Sequence, residues 1–270
     1  MRRVAFYSLA ALAALYSLGP FLWQVVTSLK PAFQLTALPP LLPHPLTFDS
    51  YRAIFEDGVF LRIIANSFIV ATSSTLLSLL LGAPAAFALA WLDVRHKGLM
   101  LAFVLAASMF PPIATVSPLF LVIRELGLRD TLTSLVIVYT TFTLPLTVWV
   151  MSNFFEAIPN DMFRAARVDG CSPFQIFYRI MLPVCAPGLF ATAILTFIFS
   201  WNEFLFALTF TSTPVARTIP VGIALFPGLH ETPWGEIAAA SVIVTAPLVA
   251  LVFAFQRRIV EGLTAGAVKG

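Results

Sequence analysis

Charged residues are scarce in this chain of 270 amino acids. Lysine, arginine, aspartate and glutamate together make up 11% of it, whereas 59% of the residues are hydrophobic and the mean hydropathy is +0.93. Soluble domains carry about 25% charged residues. A water-soluble fold of this length could not bury so much apolar surface, so the composition indicates an integral membrane protein.

Other absences exclude further classes of protein. The net charge of +3 is dispersed, with no basic run longer than two residues, whereas nucleic-acid binding needs a clustered basic face. The sequence has no G-x-x-x-x-G-K-[ST] phosphate loop, so we do not expect this chain to hydrolyse ATP by that route. No Ser/His/Asp, Cys/His or paired-carboxylate arrangement is present either. We therefore predict that the chain is not an enzyme and has no catalytic residues.

Histidine and cysteine are equally rare. The three histidines (His44, His96 and His230) lie far apart and show no metal-ligand spacing, so we interpret them as loop or interface residues. We predict no metal site and no cofactor in this chain. Cys171 and Cys185 fall in a segment that we place in the cytoplasm below, so we expect free thiols.

Six hydrophobic stretches are long enough to cross a bilayer, which takes roughly 20 mostly apolar residues in a helix. They are residues 4–29, 64–91, 99–123, 132–153, 187–210 and 237–256. The first follows two arginines, but it is too long for the core of a signal peptide and no cleavage pattern follows it closely. We predict an all-α membrane protein with six transmembrane helices.

The distribution of lysine and arginine predicts that both termini are cytoplasmic. With the N-terminus inside, ten of these residues lie on the cytoplasmic side and six outside, while seven acidic residues lie outside and five inside. We divide the chain into a first helix with a Pro-rich external loop (1–60), a transmembrane core (61–258) and a cytoplasmic tail (259–270). The external segment 30–63 is expected to be an extended connection.

Helix breakers occur inside five of the six predicted spans. They are Pro20, Gly82 with Pro84, Pro111-Pro112 with Pro118, Pro145, and Pro247. Each proline removes a backbone hydrogen bond and is expected to bend its helix, and in lipid the freed carbonyl needs another partner. One proline indicates little, since proline is common in membrane helices. Five such spans favour a bundle with an internal cavity or one that changes shape.

Predicted span five contains Trp201-Asn202-Glu203, and Glu203 is the only acidic residue placed inside a span. Such residues usually face a cavity or a partner and mark function. The three side chains could line a substrate cavity that holds a polyol, with the indole stacked on a sugar ring. The alternative, which we favour, is structural: Asn202 and Glu203 hydrogen-bond neighbouring helices or a partner subunit.

The segment between spans four and five is too polar and Pro-interrupted to enter the membrane. Its local chemistry predicts two short helices. Pro159 begins the first, and Gly170 ends it in a left-handed conformation. Ser172 begins the second, with Pro173 at its first position and Gln175 completing a capping box.

The second short helix is predicted to be amphipathic. Phe174, Phe177 and Met181 are expected to share one face, and Pro183 is expected to end the helix. An amphipathic helix–turn–helix on the cytoplasmic surface suits an element that docks into a partner's groove.

Residues 164–183 resemble the EAA loop of ABC-importer permeases, whose pattern reads E-A-A-x-x-D-G-A, five residues, then F-x-x-I-x-L-P. The matching residues are Ala165, Ala166, Asp169, Gly170, Phe177, Ile180, Leu182 and Pro183. In that family the loop is the coupling helix, which sits in a cleft of the ATP-binding subunit. The resemblance therefore implies an ATPase-coupling role for these residues. Arg164 replaces the leading Glu and inverts its charge, so the family's contact is not transferred there; Cys171 replaces a small Ala.

The resemblance covers nearly the whole chain and is strongest for the carbohydrate-uptake branch, including its maltose/trehalose-type permeases. The stretch from Trp201 to Phe204 and the tail 256–270 are similar to that branch. The resemblance implies that the tail reaches the interface of the ATPase dimer. The residues concerned are Gly262, Thr264, Gly266 and Lys269. The alternative is a disordered cytoplasmic end.

The function implied by the resemblance is that of a permease subunit in an ATP-driven, binding-protein-dependent sugar importer of the bacterial-type inner membrane. The substrate expected is a disaccharide such as trehalose or maltose. The partners implied are a second homologous permease, two ATP-binding subunits that bind ATP and Mg, an extracytoplasmic sugar-binding protein and the lipid bilayer, with no nucleic acid.

Two other classes remain as alternatives. An ion-coupled secondary transporter would use Glu203 as its proton or sodium site and would show inverted repeats, which the sequence does not display. An integral membrane enzyme would need catalytic groups clustered at a membrane face. The only clustered polar residues form the predicted docking loop.

Overall fold

A computed structural model of the chain describes residues 2–35, 41–56, 58–226 and 232–265, and these ranges are largely helical and contain no β-strand. Four long helices each contain an apolar stretch sufficient to span a membrane. They are α1 (Arg2–Ser28), α3 (Val59–Trp91), α6 (Leu132–Glu156) and α13 (Trp234–Ala265), with α2 (Asp49–Ala53) preceding α3.

Two further apolar stretches are sharply bent. The helices α4 (Lys97–Ser108) and α5 (Pro112–Glu125) meet at 89°, and the helical stretch Pro173–Val184 meets α10 (Ala186–Asn202) at 79°. Counting each bent pair as one span gives six spans by length and composition, and counting only unbroken helices gives four. The all-helical membrane fold predicted from the sequence is confirmed.

Predicted spans three and five are not continuous helices. The third is broken after Ser108 because Pro111 is extended, with φ −61° and ψ 123°, and Pro112 begins α5, where its missing N–H is not needed. The fifth ends at Asn202, and a separate helix, α11 (Leu205–Phe210), follows. No proline or glycine marks this second break.

The other prolines do not interrupt their helices. Pro20, Pro84, Pro118, Pro145 and Pro247 all lie inside continuous helical stretches. A bend at each of these prolines stays a prediction, and a break of the helix occurs at the Pro111-Pro112 pair.

Gly82, which we grouped with Pro84 as a helix breaker, has a packing role instead. A Cβ atom at Gly82 would lie 2.6 Å from Thr147 Cγ2, so the missing side chain lets α3 approach α6 closely. Small residues serve this purpose between membrane helices in general.

The centre of the bundle is formed by α3, α6 and α10, while α1 packs against α13. Buried hydroxyls join the three central helices at two points: the Ser78 and Thr143 hydroxyls are 2.5 Å apart, and Ser74 donates to Ser200 at 2.9 Å. Other buried hydroxyls bond within their own helix, as Thr192 does with the Gly188 carbonyl at 2.8 Å. Polar groups satisfied in this way let the helices pack closely in an apolar solvent.

Short elements make up most of the remainder. They are a 3₁₀ turn (Ala32–Gln34), α7 (Asn160–Val168), α8 (Pro173–Ile176), a π-helical turn (Phe177–Met181), α9 (Leu182–Val184) and α12 (Ile219–Ala224). The segment 30–63, predicted to be extended, is thus partly helical within the described residues. A hydrogen bond of 2.8 Å between the Tyr51 and Ser28 hydroxyls ties it to the end of α1.

Candidate functional site

The segment between α6 and α10 forms the two short helices predicted from its capping residues. Gly170 closes α7 with φ +79°, the left-handed conformation expected there. At the start of α8 the Ser172 hydroxyl accepts the N–H of Gln175 at 3.3 Å, and the Gln175 side chain accepts the N–H of Ser172 at 2.8 Å. The capping box is therefore confirmed. Pro159 is the residue that precedes α7, one position earlier than predicted.

The predicted apolar face of the second helix is wrong at one position. Phe174 is 72% exposed, whereas Ile176, Phe177 and Met181 are buried. Phe174 lies in α8, before the π-helical turn over Phe177–Met181, and its ring packs on Tyr178 at the exposed side of the segment.

Pro183 does not end this helical stretch. It lies in the first turn of α9, where a missing backbone N–H leaves no hydrogen bond unmade, and the stretch ends at Val184. The backbone then turns by 79° into α10.

One face of the segment is attached to the helix bundle, and we call it the inner face. Its buried residues are Ala166, Ile176, Phe177 and Met181. They pack in one apolar cluster with Phe87 of α3 and Phe155 of α6. The ring centroids of Phe87 and Phe177 are 5.3 Å apart. The segment is thereby fixed to the ends of spans two and four.

A second aromatic contact strengthens this attachment. The Trp91 ring at the end of α3 stacks on Phe163 of α7 with centroids 4.9 Å apart. Its indole N–H donates to the Phe155 carbonyl at 3.0 Å. A displacement of α7 is therefore resisted by contacts with both α3 and α6.

The opposite face of the segment exposes apolar side chains, and we call Val168, Phe174 and Tyr178 the outer patch. Val168 is 87% exposed and Phe174 is 72% exposed. The Phe174 and Tyr178 rings pack together at 5.2 Å, and the Arg179 Nε donates to the Tyr178 hydroxyl at 2.8 Å. Exposed apolar patches outside a membrane mark interaction sites.

The residues that match the family pattern divide between the two faces. Ala166 and Phe177 are buried and Ile180 and Leu182 are half-buried, whereas the remaining matches are exposed. Those exposed residues are Ala165, Asp169, Gly170 and Pro183. Val168 lies outside the pattern and was not singled out from the sequence, whereas Phe174 was expected to share a face with Phe177 and Met181. The sequence did contain a signal: Val168 directly precedes Asp169-Gly170 at the end of the first short helix, and Phe174 directly follows Ser172-Pro173 at the start of the second.

An apolar cavity of about 360 Å³ lies beside the root of this segment. It is lined by Phe154, Ala157, Ile158, Pro159, Met162, Val184, Cys185 and Pro187. The cavity borders the end of α6, the start of α7 and the bend before α10. The shape of the cavity therefore depends on the angle of that bend.

The two cysteines are free and differ in their surroundings. Cys171 is half-exposed, whereas Cys185 is 3% exposed, and burial raises the pKa of the Cys185 thiol to about 11. Because the thiolate is the reactive form, we expect a water-soluble maleimide at neutral pH to label Cys171 at least about ten times faster than Cys185. Mass spectrometry of the labelled protein measures both rates, with Cys171→Ala as the control. Equal rates at the two positions would contradict the burial of Cys185.

Glu203 holds the start of α11. Its Oε1 accepts the N–H of Phe206 at 3.0 Å and its Oε2 accepts the N–H of Ala207 at 3.2 Å. Glu203 itself is extended, with φ −68° and ψ 128°. Within this chain the carboxylate therefore has a structural role, as the favoured interpretation of the sequence proposed.

The other two members of the candidate cavity point elsewhere. Trp201 is 4% exposed and stacks on Phe197 with centroids 5.5 Å apart, inside an apolar cluster with Ile63 and Ile219. Its indole is a core residue in this conformation and does not present a stacking surface to a sugar. Asn202 is exposed, and its side chain donates to the Ile198 carbonyl at 2.8 Å. Substrate contacts of Asn202 and Glu203 stay predictions.

The segment after α11 is fastened by Asp130, which lies between α5 and α6. The Asp130 carboxylate accepts the backbone N–H groups of Ser212 and Thr213 at 2.7 and 3.0 Å, and the Thr213 hydroxyl at 2.7 Å. Partial burial raises the pKa of Asp130, but these hydrogen bonds and the charge of Arg129 outweigh it and hold the pKa below its ordinary value. Sequence reasoning had no signal for this long-range contact.

The same segment is held from its other side by α3. The Asn66 side chain donates to the carbonyls of Val215 and Arg217, both at 2.9 Å, and the Ser67 hydroxyl accepts the N–H of Ile219 at 2.7 Å. The backbone following α11 is therefore fixed on both sides by polar side chains.

The predicted ATPase-interface tail lies only partly in the described range. The backbone of α13 continues as a helix to Ala265 and so includes Gly262 and Thr264. Gly266 and Lys269 lie outside the described residues. The role of the tail stays a prediction.

Comparison with known proteins agrees with the resemblance seen in the sequence. The family model described as "Binding-protein-dependent transport system inner membrane component" matches residues 59–264. The trehalose transport system permease protein SugB of Mycobacterium tuberculosis is 44% identical over 272 residues, covering 100% of this chain and 99% of that protein. The trehalose/maltose transport system permease protein MalG of Thermococcus litoralis is 42% identical, covering 100% and 98% respectively.

A third relative and a solved structure complete the picture. The sulfoquinovosyl glycerol transport system permease protein SmoH of Agrobacterium fabrum is 40% identical, covering 97% of this chain and 92% of that protein. The fold matches a chain of a bacterial ABC transporter involved in the import of the acidic polysaccharide alginate, with a TM-score of 0.81, 22% identity, and coverage of 94% and 95%. This chain therefore belongs to the family of binding-protein-dependent transport system inner membrane components, as a multi-pass protein of the plasma membrane.

Proposed function

We propose that this chain is the permease subunit of an ATP-driven importer for a disaccharide such as trehalose or maltose. Two relatives of similar length, at 44% and 42% identity, are named as trehalose and trehalose/maltose transport permeases. The observation that carries the mechanism is the segment between α6 and α10, with one face packed on the bundle and the other exposing the outer patch.

The partners follow from what this chain lacks and exposes. It has no phosphate loop, so a pair of separate subunits would bind ATP and Mg. The outer patch would sit in a cleft of one of these subunits, and a homologous permease would present a second such segment to the other. A binding protein on the outer side would deliver the sugar.

Coupling would pass through the inner face. ATP binding closes the ATPase dimer and moves the docked segment. Because Phe177 packs on Phe87 of α3 and Phe155 of α6, that movement is transmitted to spans two and four. The pathway between the permeases then opens outward, and ATP hydrolysis restores the inward-open arrangement.

The ion-coupled alternative has less support. Both oxygens of the Glu203 carboxylate already accept backbone N–H groups at 3.0 and 3.2 Å. This structural role accounts for the carboxylate without an ion site. No further observation on the described residues favours it.

The proposal is tested by reconstituting the complex of both permeases and the ATPase subunits in lipid vesicles with the binding protein. We expect ATP hydrolysis to rise several-fold when the binding protein carries trehalose or maltose, and sugar uptake to require ATP. A binding-protein preparation without sugar is the control. Uptake that follows an imposed proton or sodium gradient without ATP would contradict the proposal.

A further inference from the structure

The break in span five is made by residues that ordinarily continue a helix. Between α10 and α11 the chain reads Glu203-Phe204, with neither proline nor glycine at the break. The N–H groups at a helix start have no partner in their own helix, and in a membrane they need one. The Glu203 carboxylate supplies it, by accepting the N–H groups of Phe206 and Ala207.

Two buried side-chain hydroxyls lie near this break. Tyr139, on α6, packs in one apolar cluster with Phe206 and Ala207 of α11. Thr218 precedes Ile219, which packs in one cluster with Trp201, two residues before Glu203. Neither Tyr139 Oη nor Thr218 Oγ1 has a hydrogen-bond partner among the described residues in this conformation. A carboxylate only accepts hydrogen bonds and has lone pairs to spare after the first two. It is therefore the group to which both hydroxyls can turn.

These groups belong to different parts of the chain. Tyr139 is on span four and belongs to the apolar cluster that holds Phe206, Ala207 and Phe210 of α11. Thr218 immediately precedes α12. Glu203 is thus the junction of span four, the two halves of span five and the segment leading to α12.

We propose that Glu203 is a positioning residue for transport: its carboxylate holds the break between α10 and α11 and takes the Tyr139 and Thr218 hydroxyls as hydrogen-bond donors when the two halves of the span rearrange. The break is then a hinge whose polar groups stay paired through the cycle. The first test below, sugar uptake, rests on the proposed transport function. The second test, a distance measurement, does not depend on it.

The first test measures sugar uptake by the reconstituted complex with variants of this chain. Glu203→Gln keeps one carbonyl oxygen but turns an amide donor toward a backbone donor, so one contact is lost and a buried N–H is left unpaired. We expect uptake per assembled complex to fall about tenfold or more. Glu203→Asp should recover part of the loss, and Tyr139→Phe should give a smaller loss. Thr141→Ala is the control, since that exposed hydroxyl bonds only within its own helix, α6.

The second test measures the hinge directly. Spin labels at Phe199→Cys on α10 and Leu208→Cys on α11, both partly exposed positions, are placed in a Cys171→Ala, Cys185→Ala chain. We expect a defined distance between the labels with Glu203 and a broadened distribution with Glu203→Gln. The Thr141→Ala chain should give the same distance as the parent chain with Glu203.

The outcomes separate the two proposals. If the parent complex imports no sugar, the proposed function fails, while the label distances still decide the role of Glu203. If Glu203→Gln leaves both uptake and the label distances unchanged, the positioning role is wrong. A loss of uptake that only matches a loss of assembled complex, with unchanged distances, also overturns it.

Discussion

Replacing Phe174 by aspartate is expected to weaken binding of the ATP-binding subunit to this permease by at least about 30-fold. Phe174 is 72% exposed and packs against Tyr178 in the outer patch. Truncating a central aromatic residue of an interface costs about 2 kcal/mol or more, which corresponds to that loss in affinity. A buried, unpaired carboxylate would add a desolvation cost.

The measurement is titration of the detergent-solubilised permease pair with the purified ATPase subunit. Phe33→Asp is the matched control, because Phe33 is a similarly exposed phenylalanine, at 66%, in the segment predicted to lie outside the cell. That variant should bind the ATPase normally. Insertion of Phe174→Asp into the membrane should also be normal, since its side chain contributes nothing to the buried inner face. Unchanged affinity for Phe174→Asp would place the ATPase contact elsewhere.

Replacing Gly188 by valine is expected to prevent the helix bundle from forming. A Cβ atom at Gly188 would lie 2.4 Å from Cγ of the Phe154 ring, so α10 could not keep its present distance from α6. Overpacking of this kind typically costs about 1–3 kcal/mol even for one added methyl group. Gly188→Ala should therefore lower the unfolding temperature, and Gly188→Val should abolish monodisperse protein.

The double variant Gly188→Ala, Phe154→Ala separates overpacking from other causes. Removing the ring makes room for the new methyl group, so the double variant should be more stable than expected from the sum of the two single changes. Gly19→Ala is the control, because no atom lies within 4 Å of a Cβ built there. Thermal unfolding of the purified permease measures all four variants. A Gly188→Ala protein as stable as Gly19→Ala would show that Phe154 gives way without cost.

Much of this architecture can be predicted from the sequence. Hydropathy identifies the spans because the bilayer demands long apolar helices. The ends of α7 and α8 can be predicted because Gly170, Ser172 and Gln175 act through local backbone chemistry. The break at Pro111-Pro112 is of the same kind, since proline cannot continue a regular helix there.

The features that could not be predicted either have no distinctive residue signal or depend on contacts distant in sequence. The break after Asn202 is held by a glutamate side chain, and glutamate is ordinarily a good helix former. The π-helical turn over Phe177–Met181 has no residue-level signal. Whether an apolar side chain belongs to the inner face or to the outer patch is decided by what α3 and α6 present to it. The composition of a single segment does not contain that information.

The opposed faces of the segment between α6 and α10 have a consequence for the evolution of such transporters. With the proposed docking at the outer patch, substitutions among Val168, Phe174 and Tyr178 would change what the ATP-binding subunit meets, while the packing on Phe87 and Phe155 lies on the other side. Recognition of that subunit could then drift, or be exchanged between permeases of different cargo, without loss of the mechanical connection to the membrane helices. An organism could then run several importers from one shared ATPase by keeping this small surface alike.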